Sequence, residues 1–202
     1  MTNRFIKLQM INYKSGGGAF VAKANFTLPI YNKKYTFKRV NVKIDTGCTI
    51  SVISLRKFVS SESFEEMRQL KSLDIINNVE NVRSYGVESE GMNHDIPKTF
   101  EEKMKCTALK FRHTMKDFNI AGLSLGDTDI FVNYDRTSNI LIGMDILKTW
   151  DIHIGRVKSG ETILLACPYN QLNDEYLSEL EEMFRLGALL YSAELRDSID
   201  FD

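Results

Sequence analysis

The chain is predicted to be mainly β, a barrel-like domain with a C-terminal α-helical extension. Three observations carry this. Apolar residues alternate strictly at Phe20, Ala22, Ala24, Phe26, Leu28 and Ile30, which is strand periodicity. Short strand signals recur along the chain without the strand–helix alternation of a parallel α/β fold. Over residues 171–202 the spacing turns helical, with Tyr176, Leu180, Met183 or Phe184, Gly187, Leu190 and Tyr191 on one stripe. The expected domains are therefore a β-barrel over 1–170 and an acidic amphipathic helical tail over 171–202.

Composition bounds the function. At 202 residues, 43% hydrophobic and 26% charged, the chain can build a core without staples. A net charge of −1 offers no global field for nucleic acid or an anionic membrane, so neither is an expected partner. The charge is uneven: residues 171–202 carry −7 and the rest +6. Cys48, Cys106 and Cys167 are an odd count with no zinc spacing, and are expected to be reduced thiols. The N-terminus shows no long apolar stretch with a cleavage site, and no apolar run is long enough to span a membrane. The expectation is a soluble cytoplasmic protein.

The elements follow in order. After the strand at 20–30, Asn32-Lys33-Lys34 is expected to turn, and Tyr35 and Phe37 resume the alternation. The apolar frame then moves from odd to even positions at Val40, Val42 and Ile44. Such a parity switch places a bulge near Lys38-Arg39. Ser63 with Glu66 matches a capping box, and Phe64, Met67, Leu70 and Leu73 keep helical spacing, so a helix is expected over 62–75. A short strand is expected at 82–87, and a polar, mobile loop at 88–102. Strand signals return at 107–120, 123–125 and 130–134, with a Gly126-Asp127 turn between the last two. A buried strand at 139–142 precedes a short helix at 144–150. Ile152 and Ile154 pair with 163–165 in a hairpin closed by Lys158-Ser159-Gly160-Glu161. Asn173 is placed to cap the tail helix, with Asp174 and Glu175 in its first turn.

The chemistry-bearing stretch is VNVKIDTGCTISVIS, residues 40–54. An apolar strand delivers Asp45-Thr46-Gly47 to a turn, and Ile50, Val52 and Ile53 lead away from it. A carboxylate at such a strand end can be held rigidly, and Gly47 admits close approach of backbone or ligand. Taken alone, an Asp-Thr-Gly also fits an Asx-turn. The apolar flanks on both sides, and a second motif about ninety residues later, NILIGMDIL over 139–147, raise it above that.

Together the two motifs resemble the retropepsin family, the retroviral-type aspartic proteases, over roughly residues 20–165. The resemblance implies a small β-barrel that carries one Asp-Thr-Gly and shares its active site across a homodimer. Carried over, Asp45 is the catalytic aspartate. Thr46 would bond across the dimer axis, and Gly47 would bring its N–H to the carboxylates. Ile142-Gly143 would pack under the Asp45 loop. Residues 82–91 with the return strand at 107–112 would form a flap, so that Ser84, Tyr85, Gly86, Ile142 and Gly143 would contact a peptide substrate. The expected function is that of an aspartic endopeptidase using an Asp-activated water, with no cofactor. Alternatives are a non-catalytic binding module, or a protease kept latent by its own tail.

The dimer also follows from acid–base chemistry. Peptide hydrolysis by carboxylates needs one ionised and one protonated group, and two carboxylates about 3 Å apart share a proton because both cannot ionise there; aspartic proteases such as pepsin are the type case. This chain has one Asp-Thr-Gly, and Asp127-Thr128-Asp129 lacks the glycine. Two-fold symmetry would supply the second. In retroviral members an Asp two residues after the motif glycine pairs with an Arg after the later glycine. Here Thr49 and Met144 stand there, and Asp145 is placed to bond locally at the helix start.

Other constellations weigh less. His94, His113 and His153 are scattered, so no metal site is expected. Cys48 fits a small residue in a tight turn better than a nucleophile. Lys33, Lys34, Lys38 and Arg39, interleaved with Tyr35 and Phe37, fit a solvated strand face better than a nucleic-acid surface.

Overall fold

The computed structural model describes residues 4–14, 17–77, 80–83, 97–157 and 159–193. Among these the architecture is mainly β with a C-terminal helix, as expected. The strands are β1 (Ile6–Asn12), β2 (Gly18–Ile30), β3 (Lys33–Ile44), β4 (Val52–Ser54), β5 (Asn81–Arg83), β6 (Leu109–Ile120), β7 (Leu123–Asn133), β8 (Ile140–Ile142), β9 (Trp150–Val157), β10 (Thr162–Pro168) and β11 (Gly187–Ala193). The helices are α1 (Phe64–Ile76), α2 (Phe100–Lys105), α3 (Met144–Leu147) and α4 (Asp174–Leu186).

The sheet closes on itself. Its order runs β2-β3-β8-β4-β7-β6, and β6 pairs back onto β2, giving a barrel. The β3–β8 and β4–β7 pairings are parallel. Closure removes the exposed edges that an open sheet would leave. The first half of β1 pairs with β10 and the second half with β2, so β1 carries the barrel into a second layer, β1-β10-β9-β11.

The alternation of β2 is realised residue by residue. Phe20, Ala22, Ala24, Phe26, Leu28 and Ile30 are all buried. Phe26 stacks on Phe37 at 4.5 Å and meets Phe118 edge-on at 5.9 Å. Burying each such ring contributes about 2–3 kcal/mol. Phe37 is thus a core residue, and Tyr35 donates to Glu66, with Lys33 paired to the same carboxylate. The parity switch is a bulge, as read: Ala24 opposes Val40 but Phe26 opposes Phe37. Arg39 takes φ +51° there, and Asn25 Oδ1 accepts from its N–H at 2.8 Å.

Several expectations shift by a few residues. The β2–β3 turn falls on Tyr31-Asn32, with Tyr31 at φ +53°. Ser63 makes no side-chain cap to α1: at φ −90°, ψ 8° it lacks the extended backbone of an N-cap and its hydroxyl lies 3.3 Å from that of Ser60, while Glu66 is engaged by Tyr35 and Lys33. A capping box does occur at Thr99 and Glu102, starting α2 inside the stretch expected to be loop. Gly126, at φ +67°, is a bulge within a continuous β7 and not a turn. The β6–β7 turn is Ala121-Gly122, both with positive φ. The helix expected over 144–150 stops at Leu147, since Trp150 already pairs with Pro168. Only β5 represents the 82–87 strand among the described residues.

The tail departs most. Asn173 caps α4, accepting from Tyr176 N–H at 3.1 Å. The helix ends at Leu186, and the following residues pair with β9 as β11. Gly187, Leu190 and Tyr191 are therefore strand residues, not part of a helical stripe. Helix α4 is pinned by Tyr176, fully buried, whose hydroxyl donates to Asp151 Oδ2 at 2.9 Å. Glu179 pairs with Lys7 of β1 at 2.5 Å, bringing the acidic tail onto the basic barrel.

Two buried charges tie α1 to the barrel. Lys71 Nζ donates to the carbonyls of Met104 and Cys106 and to Asp135 Oδ2 at 2.7 Å. Asp74, wholly buried, accepts from the hydroxyls of Tyr31 and Tyr134, both at 2.6 Å, and lies 2.9 Å from His113 Nε2. Lys71→Met leaves the two carbonyls and Asp135 without their donor, so it is expected to cost about 2–3 kcal/mol in urea unfolding. Burial, reinforced by Asp74, pushes the Tyr31 phenol from 10.0 to about 12 and raises Tyr134 further. The folded state thus holds protons that the unfolded state releases, so stability is full below pH 10.0 and falls as pH rises towards 12. Denaturant midpoints measured across that window are expected to drop less steeply in Tyr31→Phe.

Candidate active-site loop

Asp45 stands one residue beyond the end of β3, where the strand gives way to the 45–51 loop. The parallel neighbour β8 fixes its backbone: Asp45 N–H donates to Ile142 O at 2.9 Å. Its carboxylate is held at both oxygens. Gly47 N–H reaches Oδ1 at 3.2 Å, and Lys43 Nζ donates to Oδ2 at 2.9 Å. Lys43 and Asp45 share one face because they are two residues apart on an extended strand. Both side chains are about one-third exposed, at 34% and 27%.

The loop is clasped by the turn after β8. Met144 N–H donates to Cys48 O at 2.8 Å and Asp145 N–H to Thr49 O at 3.1 Å. Ser51 is wholly buried. Its hydroxyl accepts from Gly143 N–H at 2.8 Å and donates to Asp145 Oδ1 at 2.6 Å. That same Oδ1 also accepts from Ser51 N–H at 2.8 Å and Ile146 N–H at 3.0 Å. The carboxylate of Asp145 therefore does more than cap α3: it joins the two segments.

Gly143 is required by space. Its φ of −105° suits any residue. A Cβ there would stand 2.6 Å from Cys48 O and 2.7 Å from Ile50 backbone atoms, well inside contact distance. Cys48 is also held locally, its thiol donating to Ile50 O at 3.1 Å.

A second lysine lies near Cys48 of the loop. Lys110 of β6 is buried, and burial first, then Arg136, lowers its ammonium below the usual lysine value, with Cys48 opposing. Asp45, Thr46, Gly47, Ile142 and Gly143 are thus brought together in one crossing. Ser84, Tyr85 and Gly86 lie outside the described residues. Sequence reasoning missed Lys43, Ser51 and Lys110. Strand parity alone could have found Lys43; nothing local marks Ser51 or Lys110. The described residues hold no cluster of three or more side chains suited to a metal, and no helix among them is long and apolar enough to cross a membrane. A groove of about 1140 Å³ between α1 and α2, lined by residues such as Phe64, Met67 and Met104, does not include the Asp45 loop.

No family model matches the chain, and no curated protein does. Among solved structures the chain is similar to a retropepsin-like aspartic protease from Rickettsia conorii, with 15% identity and a TM-score of 0.39 over 83% of this chain and 96% of that one.

The clasp makes a clear prediction. Ser51→Ala strands Gly143 N–H and removes one donor from Asp145, at a cost of about 1–3 kcal/mol. Gly143→Ala is expected to cost a similar amount by overpacking. Urea titration of both variants checks this, and a Gly143→Ala protein as stable as wild type would contradict the close approach.

Proposed function

We propose that the chain is an aspartic endopeptidase of the retropepsin type, with its active site completed by a second copy. The observation that carries this is the Asp45 carboxylate, set rigidly at a strand end by Gly47 and by the clasp beneath it, yet open to solvent.

In the mechanism, two Asp45 groups meet across a two-fold axis, held by Thr46 contacts between the loops. One carboxylate takes a proton from water as the water attacks the scissile carbonyl carbon. The tetrahedral intermediate collapses, the C–N bond breaks, and the proton passes to the leaving amine. The peptide lies extended, held by main-chain hydrogen bonds and by the segment that includes Ser84, Tyr85 and Gly86. Ile142 and Gly143 support the floor beneath it. No cofactor enters.

A second reading, a protein-binding module, is favoured by the Lys43–Asp45 ion pair, which occupies a carboxylate oxygen. Cleavage of a diverse peptide library, with mass measured in solution, separates the two. Asp45→Asn is expected to lower cleavage at least about 10³-fold while leaving the fold intact. Cleavage that survives Asp45→Asn, or that comes from a strict monomer, refutes the shared-carboxylate mechanism.

A further inference from the structure

We infer that Lys110 and Arg136 form a carboxylate-binding subsite beside the Asp45 loop, which selects peptides carrying an acidic side chain. This rests on the protease reading for its occupant and goes beyond it, because it names a specificity element.

The placement comes from β6 and the turn after β7. Leu109 and Phe111 are buried in the core, so strand alternation turns Lys110 to the opposite face. It is only 6% exposed there. It stands near Cys48 of the loop and near Arg136. Asn133, itself buried, ties the two cations to one frame. Its Nδ2 donates to Thr107 O and Leu109 O, both at 2.9 Å, at the start of β6. Its Oδ1 accepts from Asp135 N–H at 3.0 Å and from Arg136 N–H at 2.7 Å. The turn that carries Arg136 is thereby held against the strand that carries Lys110.

Charge supplies the chemistry. Among the described residues neither Lys110 nor Arg136 has an ion pair or a side-chain hydrogen bond. The carboxylates of the surrounding segments are already engaged: Asp45 by Lys43, Asp135 by Lys71, and Glu80 and Asp129 by Arg112. Val82, opposite Lys110 on β5, brings no charge. An ammonium held out of water without a carboxylate is costly, and a second cation beside it adds to the cost. The lowered pKa of Lys110, caused by burial first and Arg136 next, is that same cost read as a proton equilibrium. A carboxylate entering between the two side chains removes both penalties. It meets a point charge from the lysine and a planar fork of donors from the arginine. Unpaired buried charge beside a candidate active-site loop is the mark of a site completed by its ligand.

The test uses apolar decapeptides that differ only in Glu or Gln at one scanned position, each made with an amidated and with a free C-terminus. Cleavage is measured with wild type, and binding by calorimetry with Asp45→Asn, which leaves the peptides whole. At the position that reaches the subsite, Glu is expected to be favoured over Gln about 10-fold or more in kcat/KM and in affinity, the worth of a charge-assisted hydrogen bond. Lys110→Met abolishes the preference, Arg136→Gln reduces it and Lys110→Arg retains it. Lys110→Met melts at or above the wild-type temperature, because it removes a buried unpaired charge. A preference for the free C-terminus, with none for Glu in the amidated series, overturns the side-chain assignment. If Glu and Gln peptides behave alike at every position, or Lys110→Met keeps the preference, the subsite falls, while cleavage that needs Asp45 leaves the protease reading standing. If wild type cleaves nothing yet Asp45→Asn binds the Glu peptide and loses it on Lys110→Met, the protease reading falls and the subsite stands.

Discussion

The hydroxyl of Ser51 is the joint on which this site depends. It accepts from the backbone of Gly143 and donates to Asp145, and so locks the 45–51 loop to the turn after β8. Two backbone bonds, Met144 N–H to Cys48 O and Asp145 N–H to Thr49 O, join the same segments beside it. A buried donor–acceptor pair of this kind is costly to leave half made, so the two segments move together or not at all. The position of Asp45 is therefore a property of the clasp as much as of β3.

The barrel transmits that rigidity outward. β8 is three residues long, yet it pairs with both β3 and β4, and so carries the clasp into the closed sheet. On the far side, α1 is fixed by two buried charges, each satisfied several times. Lys71 meets two carbonyls and Asp135, and Asp74 meets two phenols and His113. Such charges contribute little net stability compared with apolar packing, but once buried they must be matched. They fix which face of α1 meets the barrel.

What was legible in the sequence was mostly local. Strict alternation in β2 and the parity switch at Lys38-Arg39 follow from the two-residue period of a strand, and both were readable. Asp45 and Gly143 stood out because an Asp-Thr-Gly with apolar flanks and, about ninety residues later, an apolar run with a single glycine occur together. What was not legible required partners far along the chain. Glu66 fits a capping box, but Tyr35 and Lys33 claim it. Residues 187–193 follow a helix of matching stripe, yet β9 offers an open edge and they pair with it. Ser51 has no local mark because both its partners lie more than ninety residues away.

The amino-acid sequence by itself determined the mainly β class, the bulge between β2 and β3, the capped start of α4 and the place of the Asp45 carboxylate at a strand end. Each rests on periodicity or chemistry within a few residues, where backbone geometry leaves little choice. Only the tertiary structure decided that Asp145 would join loop to turn, that Lys43 would meet Asp45, and that the tail would end as a strand. Those outcomes turn on which buried polar groups find partners, and that is settled when distant segments are brought together and water is excluded between them.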